Sequence, residues 1–106
     1  MSDELGDFFA LPAYKPEEAL VALRRSLREC RPLTEQGTGT PVRFTWCGLP
    51  AIELVRTEGA ATLSVALAKR PSQRPEWVRR TLASSAEQRQ WLDDVRRALK
   101  RWDDED

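Results

Sequence analysis

Residues 42–68 limit the fold of this chain more than any other stretch. Val42, Phe44 and Trp46 alternate with Arg43 and Thr45, and Leu63, Val65 and Leu67 alternate with Thr62, Ser64 and Ala66. Between them lies a third run, from Ile52 to Thr57. A period of two marks strands with one buried face, so the stretch reads as a three-stranded antiparallel meander. Glu58-Gly59 suits a two-residue hairpin turn, pairing Leu54 with Leu63 and Ile52 with Val65. A three-residue loop, Cys47-Gly48-Leu49, pairs Phe44 with Ile52 and Val42 with Leu54. Loops of two or four residues would put those side chains on opposite faces. This register leaves a polar second face, with Arg43, Glu53 and Ser64 in one row and Thr45, Ala51 and Ala66 in the next. Arg43 and Glu53 read as a cross-strand ion pair.

Helical periodicity flanks the meander. In residues 16–31, Leu20, Leu23, Leu27 and Cys30 recur at three- and four-residue steps, forming one apolar stripe. Pro16 fits the first helical position, Glu17 and Glu18 suit the first turn, and Pro32 stops the helix. Residues 33–41, LTEQGTGTP, read as a loop. They lack the Gly-Lys-Ser/Thr that ends a phosphate loop. Residues 69–74 connect the meander to a short helix over 75–83, opened by Pro75 and Glu76. A last helix spans 86–102 on the stripe Trp91, Leu92, Val95, Ala98, Leu99 and Trp102. Ser85 is its expected cap with Gln88 as partner, and Asp93 and Arg97 are spaced to pair.

One greasy sheet face and one wet face imply an α+β fold. The expectation is a two-layer sandwich in the order α-β-β-β-α-α, with the helices on one face. With 106 residues the chain suits one domain, placed at 16–102. Residues 1–15 form an arm in which Phe8 and Phe9 are costly to leave in water, and it is expected to lie across the core. The tail 103–106, DDED, sits unfavourably at a helix C-terminus and is expected to fray into disorder.

Composition narrows the chemistry. The chain has no histidine, which removes His-based general base catalysis, Cys–His nucleophiles and most zinc sites. Its two cysteines, Cys30 and Cys47, form no CxxC pair, and Cys30 reads as a small core residue. Asp93 and Asp94 point apart on a helix, and the acidic tail lacks the spaced loop of a calcium site. The expectation is therefore no enzyme, no cofactor and no metal. Basic and acidic residues balance at 17 each, so no global field pulls toward nucleic acid or a membrane. The abundance of arginine and alanine fits the codon bias of a GC-rich bacterial genome. The start, MSDELGDFF, is no secretory signal, no run is long enough to span a bilayer, and the thiols suit a cytoplasmic protein.

One segment concentrates base. Within ALAKRPSQRPEWVRR lie Lys69, Arg70, Arg74, Arg79 and Arg80, beside Trp77 and a single acid, Glu76. The five bases, Trp77 and Trp102 are the candidate partner-binding residues, since tryptophan and arginine are over-represented at binding hot spots. The expected function is protein–protein interaction or regulation, by a partner or by self-association through sheet edges. The alternative is a nucleic-acid-binding module using residues 69–80. The order helix, three strands, helix is similar in topology to the double-stranded RNA-binding domain. That family opens its final helix with a run of lysines. The matching place here, SSAEQRQW, holds one base and one acid, so no RNA-binding residue carries over.

Overall fold

The computed structural model describes residues 14–37 and 41–105. In chain order it holds α1 (Pro16–Glu29), β1 (Thr34–Gln36), β2 (Val42–Trp46), β3 (Leu49–Arg56), β4 (Leu63–Ala68), β5 (Trp77–Leu82) and α2 (Ser85–Glu105). The strands form one five-stranded antiparallel sheet in sequence order. The fold class is α+β as expected, but the order is one helix, five strands and one helix. Apart from its last two residues, the expected arm falls on residues 1–13, outside the described residues.

Two strands replace elements read otherwise. Thr34–Gln36, expected within a loop, pairs antiparallel with β2 as an edge strand. The expected short helix over 75–83 is β5, which pairs with β4 along its whole length. Its alternation explains this. Val78, Arg80 and Leu82 point to the helix side, and Trp77, Arg79 and Thr81 point away. Val78 and Leu82 are four apart, a spacing that satisfies both periods, and Pro75-Glu76 precedes the strand rather than opening a helix.

The register of β2 on β3 holds for Phe44 with Ile52, Val42 with Leu54 and Arg43 with Glu53. The loop is nevertheless two residues long, because Trp46 pairs with Leu49. Cys47 and Gly48 have φ of 51° and 82°, the double positive φ of a type I′ turn. A bulge between Phe44 and Thr45 shifts the register by one, restoring the facing that a two-residue loop alone would invert. Ala51, expected on the wet face, joins the core there. At the next hairpin the connection is longer than two residues. Arg56 pairs with Leu63 and Leu54 with Val65, two places from the expected register, so the same side chains stay on the same face. Gly59, with φ of 79°, turns the chain between Thr57 and Ala60.

Both helices cover the same sheet face. Leu23 and Leu27 of α1, and Trp91, Val95 and Trp102 of α2, share one cluster with Phe44, Ile52, Leu54, Leu63 and Leu82. Leu23, Leu27, Phe44 and Val95 are fully buried, each contributing about 1.5–3 kcal/mol relative to exposure. Ser84 caps α2, one residue before the expected cap. Its Oγ accepts from the Glu87 backbone N–H at 3.2 Å, and its hydroxyl donates to Glu87 Oε1 at 3.3 Å. The expected Asp93–Arg97 pair gives way to Asp93–Arg96 and Asp94–Arg97, each three residues apart. Helical structure continues through Glu105, past the expected break at Trp102.

Glu35 fastens the short edge strand to α1. Arg24 Nε donates to its carboxylate at 3.1 Å and Arg28 Nε at 2.7 Å. Burial pushes the Glu35 carboxyl up, but the hydrogen bonds and charges of Arg24 and Arg28 outweigh it and hold the group below its ordinary value. A depressed folded-state value means stability that is fully present above the ordinary carboxylate range and lost as pH falls through Glu35's own value. Glu35→Gln is expected to lower unfolding free energy by about 1–2 kcal/mol at neutral pH. Urea midpoints should show that gap shrinking on acidification. A gap that stays constant across the acid range would refute the role given to the charge.

Candidate partner-binding face

The basic segment does not form one patch. Residues 79 and 80 are neighbours on a strand and project to opposite faces. Arg80 lies on the helix side, where its guanidinium donates to Asp94 Oδ2 and Gln90 Oε1, both at 3.3 Å. Lys69 pairs with Glu76 at 3.4 Å and Arg70 with Glu105 at 3.7 Å. Arg74 sits in the exposed link before β5, its backbone N–H bonded to Ser72 Oγ. Trp102 is buried at 3% exposure. Its indole donates to the Lys69 carbonyl at 3.1 Å, and its ring meets Trp46 edge-on with centroids 5.6 Å apart. It welds α2 to the end of β4 and is not available as a surface anchor.

Arg79 and Trp77 remain together, on the sheet face that carries no helix. The pairing places Gln36, Arg43, Glu53, Ala66 and Arg79 in one row across all five strands. Val55, Ser64 and Thr81 form the row on one side of it, and Ala68 and Trp77 lie on the other. Ala66 and Ala68 are 1% exposed yet stand outside the core cluster. They are the sunken floor of this face, their single methyls overtopped by longer neighbours. Ala66 lines a groove of about 440 Å³ with Glu53, Val55, Ser64, Arg79 and Thr81.

Charge is arranged across that floor. Glu53 contacts Arg43 at 3.8 Å and keeps only 14% of its side chain exposed. Arg79, on the opposite flank, is exposed and makes no ion pair among the described residues. Three strand spacings separate Arg43 from Arg79, about 14 Å at the backbone, which accommodates the roughly 10–12 Å width of one helix. The wet sheet face was evident in the sequence as the Arg43–Glu53 row. Arg79 was not part of it, because the segment that carries Arg79 reads as a helix.

Among the described residues no cluster of three or more His, Cys, Asp or Glu side chains is placed to hold a metal ion, and no helix is long and apolar enough to cross a membrane. No protein-family model, no curated protein and no solved structure matches the chain.

Proposed function

We propose that the chain is a non-enzymatic protein-interaction module whose open sheet face receives an acid-bearing segment of a partner protein. The observation that carries this reading is the asymmetry of the sheet. Both helices pack on one side, leaving a small-residue floor between Arg43 and Arg79 with Trp77 at its margin. Small floor residues let a partner backbone approach closely. A half-buried tryptophan and a guanidinium without a carboxylate supply the anchors that dominate binding energy. Glu53 between the two arginines fixes polarity, so that a carboxylate is accepted at the Arg79 flank and repelled at the centre.

The nucleic-acid reading is weaker on the same geometry. Three of the five bases in 69–80 are already matched to carboxylates of this chain, and the others do not line one groove. Phosphate binding by such a surface would release few counterions and bind weakly.

Arg79→Glu and Trp77→Ser both alter the open face without touching the core. Each variant is expected to lose, by at least about tenfold, the proteins that the wild-type chain retains from native lysate. Thermal melting serves as the folding control. Equal retention by a folded variant would refute the assignment of this face. Saturable binding of labelled single-stranded RNA or DNA at about 50 mM salt, collapsing as salt rises, would favour the nucleic-acid reading.

A further inference from the structure

The sheet ends in two unequal edges. β1 has three residues, whereas β5 has six and pairs with β4 in unbroken register from Trp77 to Leu82. Native edges are usually blunted by shortness, proline, bulges or charge at the margin. β5 has none of the first three, since Pro75 precedes the strand. Its Val78 is 50% exposed on the helix side. Among the described residues one other large hydrophobic is exposed, Val21, and it belongs to α1.

The backbone of β5 divides cleanly between its two sides. The Lys69 N–H donates to the Glu76 carbonyl at 3.0 Å. Hydrogen-bonded pairs recur at every second residue of an antiparallel ladder, so Glu76, Val78, Arg80 and Leu82 turn their backbone groups toward β4. Trp77, Arg79 and Thr81 turn theirs outward, where no described strand meets them. Proline is absent from these three positions, so every outward N–H can donate.

Side chains then select what can lie alongside. A second β5, running antiparallel about a two-fold axis normal to the sheet, matches outward groups to outward groups. An axis at Arg79 or at Arg80 would set that arginine directly against its own copy, a like-charge pair that destabilises a sheet. An axis at Val78 does the reverse. Val78 meets the second copy's Val78, covering the exposed apolar side chain. Trp77 faces the second copy's Arg79, a cation–π pairing, and Glu76 faces the second copy's Arg80. Glu76 is exposed and Arg80 keeps 34% of its side chain exposed, so both can reach across. The outward groups of Trp77, Arg79 and Thr81, with the Pro75 carbonyl, supply about six ladder hydrogen bonds.

We propose that the outer edge of β5 binds a second copy of this chain, with Val78 on the two-fold axis. The two five-stranded sheets then join into one, with all helices on one side and the two open faces side by side. The contact is made by edge backbone and by Val78 on the helix side, so it does not rest on the reading of the open face.

Sedimentation of the full chain tests this. The mass is expected to pass from monomer to dimer below about 1 mM, since an edge contact of this size belongs with the weak interfaces. Val78→Lys should weaken the dimer by at least about tenfold, because two ammonium groups then meet at the axis. That change leaves the side chains of the open face unaltered, so the dimer and the lysate binding can fail separately. Thermal melting reports folding of each variant. The register is read by cross-linking in a background of Cys30→Ala and Cys47→Ser. A non-hydrogen-bonded cross-strand pair sits about 4.5 Å apart at Cα, within disulfide reach. Val78→Cys should therefore link two chains several-fold faster under mild oxidation than Thr81→Cys. A monomer at 1 mM, about the ceiling for a weak edge contact, would overturn the proposal. If its Arg79 and Thr81 amides also resisted hydrogen exchange, the edge would belong to another segment of the same chain. A dimer that survives Val78→Lys would assign association to a different surface, and faster linking through Thr81→Cys would refute the axis at Val78.

Discussion

Trp102→Ala is expected to destabilise the fold by about 3–5 kcal/mol, the usual cost of truncating a buried aromatic to alanine. Three losses add at this position. The side chain is 97% withdrawn from solvent, its indole N–H no longer satisfies the Lys69 carbonyl, and Trp46 loses its edge-on neighbour. Domains of this size have a total stability of roughly 5–15 kcal/mol, so the variant should unfold at far lower urea and lose near-ultraviolet circular dichroism from the paired indoles. Trp102→Phe keeps the packing and discards the hydrogen bond, and should recover more than half of the loss. A Trp102→Ala protein as stable as wild type would show that the residue sits at the surface, as the sequence reading allowed, and would return it to the candidates for partner contact.

Leu82→Ala is expected to cost about 2–5 kcal/mol, whereas Arg79→Ala and Thr81→Ala should each lie within about 0.5 kcal/mol of wild type. The contrast follows from the strand. Leu82 is fully buried opposite Leu63, and the residues at 79 and 81 look out from the sheet. Val78→Ala adds a discriminating case. It lies on the helix side, but at 50% exposure it should cost well under the Leu82 change. Chemical denaturation of the four variants checks the pattern. Large losses at 79 or 81 would mean that β5 does not present these faces.

These two positions also mark how far the sequence could be read. The stripes of α1 and α2 were legible because Leu23, Leu27, Trp91, Val95 and Leu99 repeat at helical spacing over several turns. The three central strands were legible by alternation, and the pairs Phe44–Ile52 and Arg43–Glu53 emerged in register. That register does not rest on the three-residue loop that alternation implies. A two-residue turn with a compensating bulge produces the same facing as a three-residue loop, and hydrophobic patterning cannot separate the two. β5 was hidden because its apolar pair, Val78 and Leu82, satisfies helix and strand alike, and Pro75-Glu76 mimics a helix start. β1 was hidden because a three-residue polar edge strand has no pattern. What holds it is the contact of Glu35 with Arg24 and Arg28, and no sequence spacing reveals that.

The candidate site was legible only in outline. Trp77 and Arg79 were both named as candidates, but as parts of a short helix, and the five bases were grouped by sequence proximity. A strand separates adjacent residues onto opposite faces, and that alone divides Arg79 from Arg80. The open face itself was anticipated as the polar side of the meander, without Arg79 as its second flank.

The uninterrupted neighbour-to-neighbour order of the sheet bears on how quickly the molecule can assemble. Every strand pairs with the strand before or after it, so each ladder closes a short loop, and the entropy lost in closure rises only slowly with loop length. Sheets that join distant segments fold slowly because large loops must close before any contact rewards them. Here the sheet can grow hairpin by hairpin. The long-range closure is left to the helices, whose docking joins Tyr14 to Gln88 across 74 residues. The chain therefore confines its slow, non-local step to one event on one face, while the opposite face is complete as soon as the strands have zipped together.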